Sequence, residues 1–322
     1  MRTLLVLLTL MSFGFVQAQN LELNQGKDIR QPGKINPALA GIQEDLVRFL
    51  SEGEIGRSNQ FMLEGRMPLK LGNYMIGYER TFTDDVSNNM INLTYGRKIK
   101  GEKRKLEWRY GGTIQINTKS LLNNGFDSTS GYTFKDLNGE IQSVKNKEDL
   151  KSSINYADVV LGTSVNYKNL MAGLSIENFL GSNVSLSEAE TRKLPFTANL
   201  VLGGFVGVGK NTLFPALVLV ANQDDFYTKA SLDFSTEKMN FATAYISEPQ
   251  RTDISGSVAY KGEKSFYGIK YLHPLNDDTG GLVNTVPTFS LFLNSTLFKS
   301  RNLFKSDFAK KINLVNFTIH NK

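Results

Sequence analysis

The 322-residue sequence has no cysteine, two histidines, eight prolines and one tryptophan. Without thiols there is no disulfide framework, no thiolate metal site and no residue to carry a lipid anchor, so the fold rests on buried area and backbone pairing. The two histidines, His273 beside Pro274 and His320 near the end, have no second His at metal-ligand spacing, and no Ser sits in a nucleophile-elbow setting. Beyond Gln19 no apolar run reaches the roughly 18 residues of a transmembrane helix. Charge of one sign is also scarce: the net +6 is modest and scattered. No basic stripe with interleaved aromatics occurs, which argues against nucleic acid as a partner. Few Pro beside abundant Gly, Asn, Ser, Thr and Tyr favours strands over helices.

The first residues are of a different kind. Met1-Arg2-Thr3 precedes an almost wholly apolar stretch from Leu4 to Val16, and Gln17-Ala18-Gln19 follows. A basic start, a short apolar core and small residues near its end make residues 1–18 a signal peptide, cut after Ala18. The alternative, a membrane anchor, is too short to span comfortably.

Period two then dominates. In ADVVLGTSVNYKNLMAGLSIENF, from Ala157 to Phe179, apolar residues alternate with polar or small ones on both sides of Lys168-Asn169. Two such runs about a two-residue Asn-containing turn predict a β-hairpin, and arms of about ten residues match the length a tilted strand needs to cross a bilayer. The same pattern predicts fourteen strands: 45–51, 59–67, 74–82, 90–98, 106–118, 157–167, 170–179, 196–208, 213–221, 226–234, 240–247, 253–260, 265–272 and 287–297. Connections after even strands are all short, and several are rich in Lys. Those after odd strands include the three longest, 119–155, 180–195 and 273–286. A soluble sandwich has no reason to sort loops by parity, whereas an outer-membrane barrel has short periplasmic turns and long extracellular loops. The fold class expected is therefore all-β, a transmembrane antiparallel barrel of about 14 strands.

Twelve aromatics near strand ends, among them Phe61, Tyr74, Trp108, Tyr167, Phe214 and Tyr260, suit the two interfacial girdles of such a barrel. Within this frame residues 19–44 form a non-periodic N-terminal segment, 45–298 the barrel and 299–322 a C-terminal periplasmic tail. The alternative for the tail is that Ile312–Ile319 is the closing strand. In the N-terminal segment, Asn36-Pro37 opens a turn and Gly41 closes it.

Chemical motifs fail on context. Gly204–Lys210 has the spacing of a phosphate-binding loop, but position 211 is Asn and the next run reads as a strand, leaving no helix N-terminus for a phosphate. Asp278-Thr279-Gly280 has no second copy to supply a paired carboxylate. No catalytic residue, cofactor or metal site is expected, and the chain reads as a non-enzyme.

Three stretches carry a resemblance. Ile35-Asn36-Pro37-Ala38-Leu39-Ala40-Gly41, the hairpin over 159–180, and the succession of strands from Phe196 to Tyr271 resemble the PorP/SprF family of the Bacteroidota type IX secretion system. In the first motif Leu39 stands where the family has Tyr. A Gly-Ser-His-Glu-like motif of the family is replaced here by Leu282–Pro287. The resemblance implies an outer-membrane barrel that serves secretion or surface attachment of particular exported proteins, such as gliding adhesins, recognised through their C-terminal domains. Its partners would be outer-membrane lipid and the secretion components, the exported protein, or both. It marks Asn36, Pro37, Ala40 and Gly41 as candidate structural residues.

Two other readings stay open at this level. One is a small outer-membrane porin or solute channel, with Glu79, Glu107, Arg109, Glu177, Lys229 and Asp233 on the inner face. The other is a soluble secreted β-protein. Residues 20–44 are non-periodic yet carry Ile35, Leu39 and Ile42, which predicts an ordered segment in or under the barrel.

Overall fold

The computed structural model describes residues 33, 36–40, 45–54, 59–69, 72–82, 85–99, 106–122, 132–135, 141–144, 149–188, 191–223, 225–248, 251–262, 265–277 and 288–299. The strands in chain order are β1 (Asp45–Glu54), β2 (Asn59–Leu69), β3 (Gly72–Phe82), β4 (Val86–Ile99), β5 (Leu106–Leu121), β6 (Tyr132–Lys135), β7 (Ile141–Val144), β8 (Ser153–Tyr167) and β9 (Leu170–Glu177). They continue as β10 (Thr197–Gly204), β11 (Val206–Val208), β12 (Asn211–Ala221), β13 (Phe226–Ser235), β14 (Met239–Glu248), β15 (Arg251–Lys261), β16 (Ser265–Asp277) and β17 (Thr288–Lys299). Among the described residues a 3-10 turn, Pro37–Leu39, precedes them.

β10 and β11 are one stave of the sheet. Both pair with β12, from Ala198↔Ala221 to Gly203↔Ala216 and again from Val206↔Leu213 to Val208↔Asn211. The interruption falls opposite Pro215, which has no N–H to give to the ladder. β6 and β7 pair only with each other, as a small hairpin inside the longest connection. With β10 and β11 counted as one, the staves number fourteen, all antiparallel, and the last meets the first: β17 runs along β1 from Asp45↔Lys299 to Glu54↔Ser290. Each stave thus has two partners and the sheet returns on itself, which leaves no free edge and satisfies the backbone within the wall.

The fourteen strands read from period two correspond one for one to these staves. The closing strand is β17, not Ile312–Ile319, and residues 300–322 lie outside the described residues. The β6–β7 hairpin was not expected. His273, read as a loop residue, is in β16, exposed and stacked on Tyr271 with the ring centroids 6.1 Å apart. Asp278-Thr279-Gly280 and His320 lie outside the described residues.

Burial is inverted relative to a soluble domain. Ile76, Leu93 and Ile114 face one another across β3, β4 and β5, yet are 57%, 46% and 53% exposed. Their strand neighbours Glu79, Thr94, Thr113 and Asn117 are buried. Apolar-out and polar-in is the requirement of a wall with lipid outside. Aromatics pair at both ends, the expected Tyr74, Tyr95, Phe179, Phe196 and Tyr260 among them, while Tyr267, Tyr271 and Phe289 were not expected. Tyr74 and Tyr95 (5.1 Å between ring centroids) and Tyr260 and Tyr267 (5.4 Å) pair toward the short turns. Phe179 with Phe196 (5.8 Å) and Tyr271 with Phe289 (5.0 Å) pair toward the long loops. Phe214 is an exception: it is fully buried on the inner face, with Phe205 4.6 Å away. The Gly204–Lys210 spacing lies on β10, β11 and their turn, and a strand follows it.

Candidate functional site

The lumen holds a piece of the chain itself. Asn36 has an extended backbone (φ −153°, ψ 118°), and its side chain caps the Pro37–Leu39 turn: Oδ1 accepts from the Ala38 N–H at 2.9 Å. Pro37 occupies the first turn position, where its missing N–H costs nothing. The Leu39 and Ala40 N–H groups donate to the carbonyls of Asn36 and Pro37. The other half of the Asn36 amide reaches the wall, where Nδ2 donates to the Thr163 carbonyl of β8 at 2.9 Å and to the Leu174 carbonyl of β9 at 3.1 Å. Asn36 is fully buried, and so are Pro37, Ala38, Leu39 and Ala40.

The wall is shaped to receive this turn, which lies against β4, β5 and β8. Gly96, Gly111 and Gly162 pair directly across β4, β5 and β8, and Gly173 lies on β9 beyond them. A Cβ at Gly96 would stand 3.0 Å from the Pro37 carbonyl oxygen, one at Gly111 2.5 Å from the same atom, and one at Gly173 2.9 Å from Asn36 Nδ2. At Gly162 it would overlap Asn36 Oδ1. Glycine inside a strand marks a close approach of other backbone. Here four of them pave a floor on which the turn rests.

Leu39 points the opposite way. It joins a buried apolar cluster with Met171, Val201, Phe205, Phe214 and Val218, which extends to Leu272 on β16. One side of the lumen is thus apolar, and the turn bridges it to the glycine floor. The remaining inner face is polar and carries several paired groups. Glu107 takes Lys98 at 2.6 Å and the buried Arg109 guanidinium. Thr94 and Thr113 hydroxyls meet at 2.8 Å, and Asn199 donates to Ser175 and Glu177.

Of the sequence-predicted residues, Asn36, Pro37 and Ala40 share this one turn, and Gly41 lies outside the described residues. Glu79, Glu107, Arg109 and Asp233 are buried inside the barrel, while Glu177 and Lys229 are half-buried. The wall glycines and the contact of Leu39 were missed at the level of sequence. The available signal was a Gly in the interior of successive strand runs. Among the described residues no group of His, Asp or Glu is placed to hold a metal.

The long-loop end is ordered by a second polar device. Asp158 accepts from the N–H groups of Asn178 (2.7 Å) and Leu180 (3.3 Å), and Asn178 Nδ2 donates to the Pro195 carbonyl at 2.9 Å. The 178–196 connection, with Val184 and Leu186 buried, also bonds to residues 149–151 of the other long loop.

Among solved structures the chain is similar to the monoaromatic hydrocarbon channel TodX, a deltaS2 mutant, at 10% identity and a TM-score of 0.47, covering 82% of this chain and 93% of that one. It is similar also to the outer membrane protein Omp33 of Acinetobacter baumannii (8% identity, TM-score 0.44, 80% and 99% covered). The KdgM porin follows (8%, 0.37, 78% and 99%). No curated protein matches the sequence. The model of the type IX secretion system membrane proteins PorP/SprF matches residues 30–294, a span holding the lumenal turn and all but the last residues of the barrel. The chain belongs to the PorP/SprF family of type IX secretion system membrane proteins, and it is an outer-membrane β-barrel.

Proposed function

We propose that this barrel is a non-enzymatic accessory of type IX secretion that binds the machinery, or a specific exported surface protein of the gliding-adhesin type, and does not conduct solute. The observation that carries the reading is the burial of Asn36–Ala40 between the glycine floor and the apolar cluster. A pore needs a continuous wet path, whereas this lumen is occupied at that level by the protein's own backbone. The paired charges of the inner face serve a hydrogen-bonded interior rather than a selective filter.

The test has two arms. In planar bilayers the full-length protein passes no steady current, and deletion of residues 22–41 opens a conducting pore. A detergent pull-down of the tagged protein from native outer membranes recovers secretion components, or a large surface protein with a type IX C-terminal domain. Recovery of the barrel alone, together with a steady wild-type conductance, would replace this reading with a solute channel.

A further inference from the structure

Charge that is scattered along the sequence is sorted by the barrel. At the short-turn end, the described residues of the six connections and their flanks (68–69, 72–73, 97–99, 168–169, 209–212, 235–239 and 261–262) carry six Lys or Arg against one Glu. The described residues of the four short connections at the opposite end (52–54, 82, 85–86, 221–223, 225–226, 248 and 251–252) carry five Asp or Glu against one Arg. The short-turn end faces the periplasm in an outer-membrane barrel, so the basic rim lies at the inner leaflet.

One part of that rim points outward rather than down. Arg97 is exposed on β4 beside the hydroxyls of Tyr95 and Tyr110, and the register sets Arg97 directly across from Tyr110. Tyr95 in turn packs on Tyr74 of β3. On the turn after β8, Lys168 Nζ stands 5.2 Å above the Tyr167 ring. Neither cation forms an ion pair among the described residues. We propose that Arg97, held between Tyr95 and Tyr110, binds the phosphate of an anionic phospholipid headgroup in the periplasmic leaflet, and that Lys168 on Tyr167 makes a second contact of the same kind.

Three features favour lipid over an acidic protein. Arg97 is on an outward position of a spanning strand, where lipid is the neighbour. Its flanking tyrosines belong to the interfacial girdle, which sits at headgroup depth. A guanidinium forks onto phosphate oxygens while the phenol hydroxyls beside it supply further donors. A protein partner approaching from the periplasm would meet the turn tips first.

A basic side chain near an anionic surface contributes about 1 kcal/mol, or roughly fivefold in occupancy. The experiment uses full-length protein in nanodiscs of phosphatidylcholine with a minor fraction of phosphatidylglycerol, and native mass spectrometry of the lipids retained as detergent-free adducts. Phosphatidylglycerol is expected to be enriched on the wild type, to fall about fivefold with Arg97→Gln, and to return in large part with Arg97→Lys. Heat-modifiable gel migration checks that each variant is a folded barrel. Equal retention of the two lipids by the wild type would overturn the proposal. Displacement by inorganic phosphate alone would reassign the site to free phosphate and overturn it as a lipid site. Unchanged enrichment in Arg97→Gln, with loss of a co-purifying periplasmic protein, would overturn it in favour of an acidic protein partner.

Discussion

Valine in place of Gly162 is expected to drive the Asn36–Ala40 turn out of the lumen. The first carbon added there overlaps Asn36 Oδ1 and lies 2.9 Å from Pro37 Cδ, and valine adds two more. The obstruction is met by a proline ring and a capping amide already committed to three hydrogen bonds, so there is no flexible side chain to swing aside. On the barrel side the substitution is mild, since β-branched residues suit strands. The measurement uses the absence of native thiols: Ala38→Cys places a single reporter at a fully buried position. In the parent this thiol resists a membrane-impermeant maleimide, and adding Gly162→Val raises the labelling rate at least about tenfold, as expected when about 1.4 kcal/mol or more of docking energy is lost. Slow labelling in both, with the barrel intact on gels, would mean that the floor does not need glycine.

The second large effect separates the two halves of the Asn36 amide. Asn36→Ala removes one cap and two bonds to the wall, about 2–3 kcal/mol at the usual worth of each. Amide exchange at Ala38–Ala40 should then speed up by roughly 30- to 150-fold. Asn36→Asp keeps an oxygen for the Ala38 N–H but replaces the donor with a carboxylate oxygen facing the carbonyls of Thr163 and Leu174. A buried charge without a partner costs about 3–5 kcal/mol, so the isosteric variant should be the worse of the two. Acidification distinguishes it further. Once protonated, the carboxyl group introduced by Asn36→Asp can donate once, so protection returns as pH falls, after correction for the intrinsic pH dependence of exchange. Hydrogen-exchange mass spectrometry of the 36–40 segment reads both variants, and equal behaviour of the two would show that the wall bonds carry no weight.

Much of the architecture was legible because the strand period is two and the wall has one wet and one oily face. Ile76, Leu93 and Ile114 announce their side of the sheet without any knowledge of their partners, and loop parity gives the orientation. What stayed hidden depends on pairing between distant strands. Gly96, Gly111 and Gly162 are ordinary strand glycines one at a time, and they become a floor only when register brings them side by side. Phe214 read as a girdle aromatic because it lies near a strand end, but its parity on β12 sends it inside, beside Gly203 of the paired β10, which leaves room for its ring. The β6–β7 hairpin escaped notice because four-residue strands are too short to establish a period among Lys, Asp and Gly. The scatter of Lys along the chain likewise concealed a polarity that only the up-and-down path of the staves reveals.

The position of the lumenal turn also bears on the order of assembly. Its floor and both carbonyls that Asn36 binds come from β4, β5, β8 and β9, all within the first 177 residues. The apolar cluster that Leu39 joins, with Val201, Phe214 and Leu272, comes almost wholly from the later staves. The turn can therefore be seated while the sheet is still an open, curling wall, before β17 reaches β1. Bridging 127 residues to Thr163 carries a closure cost that grows only with the logarithm of loop length. Once the peg is in place, the remaining strands have an apolar side chain, Leu39, to curl toward. The Asn36–Ala40 turn is then the mandrel around which the second half of the cylinder is wound.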